Sequence, residues 1–414
     1  MAMTKKSLQN IRVLDLSRVL AGPYCTQMLG DLGAEIIKIE KPGSGDDTRF
    51  WGPPFLKDKD GNDTSESAYY LSINRNKKSV AIDISKKEGQ EIIHKLLENS
   101  DVLIENFKAG GLKKYGLSYD DLKEKYPKLV YCSITGFGQS GPLAEEPGYD
   151  LMAQAMAGLM ASTGEPDGAP MKVGVALSDI ITGLHAAIGI LAALNSREQT
   201  GEGQMVDVAL VDCTLASLTN LAQYFLTSGK PAPRQGNAHS TIVPYQALET
   251  QDGYIVVAVG NNEQFARFCK ILGHAEWAKD ERFAKNTARV MNRAVLIPMI
   301  ENEMKKKTSA VWIEEMSGAD VPGGPVNRMD EVFAMEQTRH RGMEISMDHP
   351  AAPKSIKLVG SPLKLSKTPV SYEFAPPVLG QDTQEVLEKL PGLGADKLAR
   401  LENAGIIERA KIKK

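Results

Sequence analysis

The sequence predicts an α/β fold: a parallel sheet in a large domain, joined to a smaller α+β domain. Three observations carry this. Short apolar runs alternate with helical stretches as far as Thr135, and that order makes βαβ units and parallel strands. The texture turns to loop at Lys230–Pro233 (KPAP). A hairpin signal then follows over Pro244–Val259, with Asp252–Gly253 as its turn.

Residues 11–17 (IRVLDLS) read as a buried strand. Residues 21–33 read as a helix with Pro23 in its first turn and Gly33 at its end. Strands follow at Ala34–Glu40, Ser79–Ile84, Asp101–Phe107 and Lys128–Thr135, with helices at Lys87–Asn99 and Asp120–Tyr126. Residues 149–163 and 178–196 read as helical, and SREQTGEGQ (196–204) is a polar break. Met205–Ser228 reads as one long amphipathic helix that leads out of the first domain. Helices are predicted at 261–272, 290–306 and 309–317, a further one opens at Asp330, and 356–365 is strand-like. The tail, 380–410, holds two helical stretches and packs back on the first domain. The predicted organisation is a discontinuous large domain of residues 1–200 and 335–414, a linker helix of 201–228 and a small domain of 229–330.

The chain has 414 residues, enough for two domains. A net charge of −3 gives no electrostatic reason to expect nucleic acid or an anionic membrane as partner. The four cysteines, Cys25, Cys132, Cys213 and Cys269, show no CxxC spacing and sit among apolar residues, which fits a reducing cytoplasm. The start enters a strand without a long apolar run, so no secretion signal is expected. The longest apolar run, Ile180–Leu194, is too short to span a bilayer. The six histidines form no HxxxH or HExxH pair, so no metal is expected. No GxGxxG follows the first strand, which argues against a dinucleotide site, and neither a GxSxG elbow nor a P-loop is present.

The residues that could carry chemistry begin with Asp179, at the head of the apolar helix 178–196. It has two readings. It can cap that helix by accepting backbone N–H bonds, or, flanked by small residues, it can serve as a nucleophile toward an activated acyl group. Lys41–Arg49 (KPGSGDDTR) is a Gly-rich charged loop after a strand, either an ordinary connection or a phosphate cradle. Asn74–Ser79 (NRNKKS) puts three cations before a strand, either a solvated run or a phosphate-binding rim. Gln235–Val243 (QGNAHSTIV) is a linker or a mobile cover.

The order of these stretches is more specific than any one of them. VLDLSRVLAGPYCTQMLGDLGAEIIKIEKPGSGDDTR, YYLSINRNKKSVAIDI, VLIENF, GYDLMAQAMAGLMASTG, the Asp179 segment, TGEGQMVDVAL, GADVPGGPVNRMDEVFAMEQTRHRGM and PPVLGQ together resemble the class III coenzyme A transferases, the formyl-CoA and carnitine CoA-transferase family. The resemblance runs from about Ile11 to Gly380. SAYYLSINRNKKS, ITGFGQSGP and AHSTIVPYQALETQDGYIVVAVGNNEQF look most like the family's dicarboxylate CoA-transferases, which exchange CoA between succinyl-CoA and glutarate or related acids.

The resemblance implies a Rossmann-like large domain in an intertwined homodimer, and an active site between the large domain of one subunit and the small domain of its partner. It implies that Asp179 is the catalytic nucleophile, forming mixed anhydrides and an aspartyl-CoA thioester, with acyl-CoA as substrate and no resident cofactor. Leu20, Lys41, Asn74, Asn106, Phe107 and Lys114 match the family's CoA contacts. Arg75 is the candidate for the far carboxylate of a dicarboxylate, with Arg49 or His239 as alternatives. Gly236–Thr241 (GNAHST) matches a glycine-rich covering loop but departs from a run of glycines, so Gly236, His239 and Ser240 are candidate substrate contacts. A racemase of the same fold would use a His in a G-H-D motif; here Tyr149 stands in Gly148-Tyr149-Asp150, beside the CoA site, and a phenol of pKa about 10 is a poor base. A CoA-binding protein without activity, and a hydrolase that admits water, are the remaining readings.

Overall fold

The computed structural model describes residues 5–410. β1 (Arg12–Asp15), α1 (Ala21–Asp31) and β2 (Glu35–Glu40) make the first βαβ unit. A hairpin of β3 (Phe55–Lys57) and β4 (Asp63–Ser67) and a short α2 (Ala68–Ile73) precede β5 (Lys77–Ile82). α3 (Lys87–Leu97) leads to β6 (Val102–Glu105), and α4 (Tyr119–Leu122) to β7 (Val130–Thr135). Next come α5 (Asp150–Met156), α6 (Leu159–Ser162), α7 (Leu177–Thr200), β8 (Met205–Ala209), α8 (Leu210–Ser217) and α9 (Thr219–Ser228). The middle of the chain holds β9 (Tyr245–Glu249), β10 (Tyr254–Ala258), α10 (Asn262–Ile271), α11 (Asn286–Met291), α12 (Arg293–Met304), α13 (Ser309–Gly318), β11 (Gly323–Pro325) and α14 (Met329–Ala334). The last part holds α15 (Glu336–His340), β12 (Glu344–Met347), β13 (Ile356–Val359), α16 (Thr383–Glu388), α17 (Ala395–Asn403) and β14 (Ile407–Glu408).

β5, β2, β1, β6, β7 and β8 lie side by side in that order, all parallel, and β14 closes the β5 edge antiparallel. Counted along the chain, the parallel strands run 3-2-1-4-5-6. The order reverses between β1 and β6, and a crevice opens at the carboxyl ends there. Both faces of the sheet are covered, so the strands are apolar on both sides. Leu14, Ile37, Val80 and Leu103 meet one core with α3 and the tail residues Leu387, Leu398 and Leu401. Val13, Ile36, Val102 and Cys132 meet the other, with α1 and the α7 residues Ala186, Ile190 and Ala193.

The chain divides into two compact units. One runs to Ala157, with Gly174–Thr219 and the part from Glu336 on; the other is Gly158–Val173 with Asn220–Met335. The second unit has its own antiparallel sheet, β11-β10-β9, and its own core around Ile255, Phe265, Phe268, Leu296 and Trp312.

Several elements differ from those the periodicity predicts. Met205–Ser228 is not one helix: its MVDVA segment pairs with β7 and completes the sheet as β8, before α8 and α9 begin. So the segment 201–228, expected as a linker helix, starts with a strand of the large sheet. The helix predicted over 149–163 breaks at Gly158, whose φ of 91° is left-handed. The strand over 356–365 stops at Val359, and the hairpin β3–β4 lies in a stretch to which the sequence pattern assigns no element. α7 has 24 residues and a mean hydropathy of 1.7 in its most apolar window, so by length and composition it could cross a membrane. One side of it is the core just described; the other leaves Leu184, Ile188 and Leu191 exposed.

Candidate active site

At the sheet's switch point the loop after β1 and the loop after β6 wall a cavity of about 760 Å³. Arg18, Val19 and Leu20 come from the first loop, Asn106, Phe107 and Lys108 from the second, and Asp150 and Asp179 stand at its far wall. Val19 has a φ of 70°, a conformation a β-branched residue rarely adopts. It is held from both sides. Asn106 accepts from the Arg18 N–H at 2.8 Å and donates to the Arg18 carbonyl at 2.7 Å, and Asp46 accepts from the Val19 N–H at 3.3 Å. The end of β7 reaches the cavity because Gly136 and Gly148 lie face to face. A Cβ on Gly148 would come within 2.2 Å of the Gly136 Cα.

Asp179 lies in the first turn of α7, and its carboxylate accepts no hydrogen bond among the described residues. The cap is Asp150. Its Oδ1 accepts from the backbone N–H of Ser178 at 2.9 Å and of Asp179 at 3.4 Å, and its Oδ2 accepts from Gln154 at 2.8 Å. Ser178 is turned inward, where Thr214 donates to its hydroxyl at 2.7 Å, and the next residue round the helix faces the cavity. Burial first, and the Asp150 carboxylate second, raise the Asp179 pKa to about 7. Tyr69 is nearby: burial and then the Asp179 and Asp150 charges raise its pKa to about 12. Its ring meets cavity-lining Trp51 edge-on, with centroids 5.3 Å apart. A carboxylate without donors, poorly solvated and open to a cavity, is a poised nucleophile toward a carbonyl.

CoA-transferase family III matches residues 8–383 as a family profile. The chain belongs to CoA-transferase family III. Succinyl-CoA:glutarate CoA-transferase of Homo sapiens is 44% identical over 404 residues, 98% of this chain and 90% of that one. Succinate–glutarate CoA-transferase of Agrobacterium fabrum is 46% identical, over 93% of this chain and 96% of that one. The crystal structure of a CAIB/BAIF family protein from Brucella suis superimposes with a TM-score of 0.82 at 45% identity, covering 92% of this chain and 99% of that one. The chain is therefore an enzyme that moves CoA between acyl-CoA and carboxylic acids.

In this CoA-transferase Leu20, Asn106, Phe107, Lys114, Tyr149 and Asp179 all line the large cavity. Lys41 lines a second one of about 400 Å³, walled by Leu16, Ile39, Ile82, Phe107 and Tyr115, and Arg18 and Phe107 line both. Asn74 and Arg75 line neither. Asn74 is fully buried; it donates to the Tyr70 carbonyl at 2.9 Å and accepts from Lys77 at 2.9 Å. Arg75, 4% exposed, grips both oxygens of Asp31 and donates to the Val359 carbonyl. Arg49 is likewise sequestered, between Glu40 and Glu66. A buried guanidinium held this way is not available to a substrate carboxylate, which removes Arg75 and Arg49 as partners of a far carboxylate. The NRNKKS run is neither solvated nor a rim: Arg75 and Lys77 are core cations, and Lys78 pairs with Glu35 and Glu385.

The GNAHST loop belongs to the second unit. Gly236 has a φ of 56° and donates to the Gly164 carbonyl at 3.1 Å. Arg293 donates to the His239 carbonyl at 2.6 Å and the Ser240 carbonyl at 3.2 Å. The His239 ring lies edge-on to Tyr245 at 5.4 Å. Arg18, Trp51 and Tyr69 join the site without a signal in the sequence pattern, and Asp47 is marked only as part of the KPGSGDDTR loop. The Gly148-Tyr149-Asp150 triplet draws attention to Asp150 as a helix start and as the counterpart of a racemase G-H-D motif, not as the cap of α7.

Proposed function

We propose that this CoA-transferase carries CoA from succinyl-CoA to glutarate, with Asp179 as nucleophile. The observation that carries it is the unpaired Asp179 carboxylate on the wall of the large cavity. The named relatives, at 44% and 46% identity over nearly the whole chain, support this substrate pair.

The carboxylate oxygen attacks the succinyl thioester carbonyl; the C–S bond breaks and CoA leaves as thiolate, giving a succinyl–aspartyl anhydride. The thiolate then attacks the Asp179 carbonyl, releasing succinate and leaving an aspartyl-CoA thioester. Glutarate attacks that thioester and CoA thiolate departs again. Its attack on the glutaryl carbonyl yields glutaryl-CoA and the free Asp179 carboxylate. No proton or electron is consumed. Water must be kept from both anhydrides. CoA lies with its adenine between Phe107, Tyr115 and the aliphatic wall of the smaller cavity, Lys41 near its 3′-phosphate, its diphosphate passing Arg18, and its pantetheine arm running on toward Asp179. Leu20, Asn106, Lys114 and Tyr149 border that arm. The enzyme is an interlocked homodimer of the cytoplasm, and its four buried, unpaired cysteines suit a reducing compartment.

The reaction needs Asp179 ionised, so kcat/KM falls as pH drops below about 7. Asp150→Asn removes the neighbouring charge yet keeps an oxygen for the Ser178 and Asp179 N–H groups. It is expected to move the acid limb of that profile to lower pH, and an unmoved limb counts against the coupling.

The second charge of a dicarboxylate cannot stay unpaired in a closed site. With Arg75 and Arg49 engaged, His239 is the remaining candidate, its Nδ1 accepting from the Thr241 N–H at 3.2 Å and its Nε2 left to donate. His239→Ala is expected to raise KM for glutarate about tenfold, while KM for a short monocarboxylate changes little. Equal changes for both acids would assign His239 to the loop's shape instead.

A further inference from the structure

Arg18 stands where the two cavities meet. Its backbone is fixed by the two Asn106 hydrogen bonds, its guanidinium lies 5.8 Å from the centre of the Phe107 ring, and both cavities count Arg18 and Phe107 in their walls. The guanidinium is not free. Its Nη1 donates to Asp47 at 2.9 Å, and the two side chains are 52% and 48% exposed. Asp47 follows Asp46, which caps the single 3₁₀ turn Asp47–Phe50, so its own carboxylate is spare and points at Arg18.

A ligand that fills both cavities must pass this point, and on the reading proposed above the part of CoA that passes is its diphosphate. We infer that Asp47 holds Arg18 as a latch: it occupies the diphosphate-binding cation in the free enzyme, gives it up to CoA, and takes it back when CoA leaves. The exchange is feasible because a half-exposed ion pair contributes only about 0–1 kcal/mol. A diphosphate offers a guanidinium stronger, charge-assisted and bidentate hydrogen bonds. The base of the arginine need not move, because Asn106 fixes the backbone and only the side chain swings. Asp47 also puts a negative charge near the bound diphosphate, so affinity is lowered by competition and by repulsion. Weak product holding suits an enzyme that must release one acyl-CoA for every one it takes up.

The test measures the Kd of CoA by titration calorimetry and the Ki of pantetheine, which lacks the nucleotide and its phosphates, in four proteins: wild type, Asp47→Asn, Arg18→Gln and the double variant. Asp47→Asn is expected to tighten CoA about two- to fivefold and to leave pantetheine unchanged. Arg18→Gln is expected to weaken CoA, and in that background the Asp47→Asn gain disappears. An unchanged or weaker CoA affinity in Asp47→Asn overturns the latch, as does an equal gain for pantetheine or a gain that survives undiminished without Arg18. Failure of wild type to bind CoA would instead overturn the CoA reading on which the latch rests.

Discussion

Asp179→Ala lowers CoA transfer by roughly four orders of magnitude or more, as expected when a covalent nucleophile is removed, while CoA still binds. Incubating the wild type with succinyl-CoA and hydroxylamine modifies the peptide that contains Asp179, through its anhydride or thioester. Turnover by the Ala variant within a hundredfold of wild type would assign the nucleophile elsewhere. Loss of activity does not come from loss of fold, because the N-terminus of α7 is capped by Asp150 and not by Asp179. Stability moves the other way. The Asp179 carboxyl titrates at about 7 in the folded chain and near 4 in an unfolded one. Across that window the folded state keeps a proton that the unfolded state gives up, so the wild type loses stability as pH rises through it. Asp179→Asn, neutral throughout, therefore melts higher than wild type at pH 8. The difference shrinks as pH falls through 4 and vanishes near pH 3, where the carboxyl is protonated in the folded and the unfolded chain alike. An Asn variant that melts lower than wild type at pH 8 would contradict the burial of that charge.

The parallel sheet is legible in the sequence because its central strands are apolar on both faces and alternate with helical stretches: Val13–Leu14, Ile36–Ile37 and Leu103–Ile104 each feed two cores. β8 escapes because its two half-buried residues and one exposed aspartate read equally well on a helix. Chemistry at a chain-local position, such as Asp179 at a helix start, is legible too. What a single sequence does not give is which charges neutralise one another. Arg75 and Asp31, or Arg49 and Glu66, are far apart in the chain, and only folding shows that their charges cancel in the interior. The same holds for Asp150, whose bonds to the start of α7 span 28 residues. Family resemblance carries Asp179 to its position, and it carries Asn74 to the CoA site with equal ease, although Asn74 is a buried strut for Tyr70 and Lys77.

Ile188→Glu is expected to abolish both dimer formation and activity. α7 is apolar on the side that meets the sheet and also on the side that does not: Leu184, Ile188 and Leu191, spaced at helical intervals, are 41%, 63% and 36% exposed. α8, in the same unit, adds exposed Leu215. Isolated exposed apolar residues are ordinary, but a helix stripe of them marks a surface that another chain covers. Each such side chain, fully buried, contributes about 1.5–3 kcal/mol, and a glutamate in the middle of the stripe would have to be buried unpaired. A second copy of this chain is the proposed cover. Sedimentation of the wild type should give twice the 45.0 kDa chain mass at every dilution that keeps activity, because interlocked chains part only by unfolding. A wild type that sediments as an active monomer overturns the dimer whatever the variant does. An Ile188→Glu protein of unchanged mass and activity would place the interface away from α7.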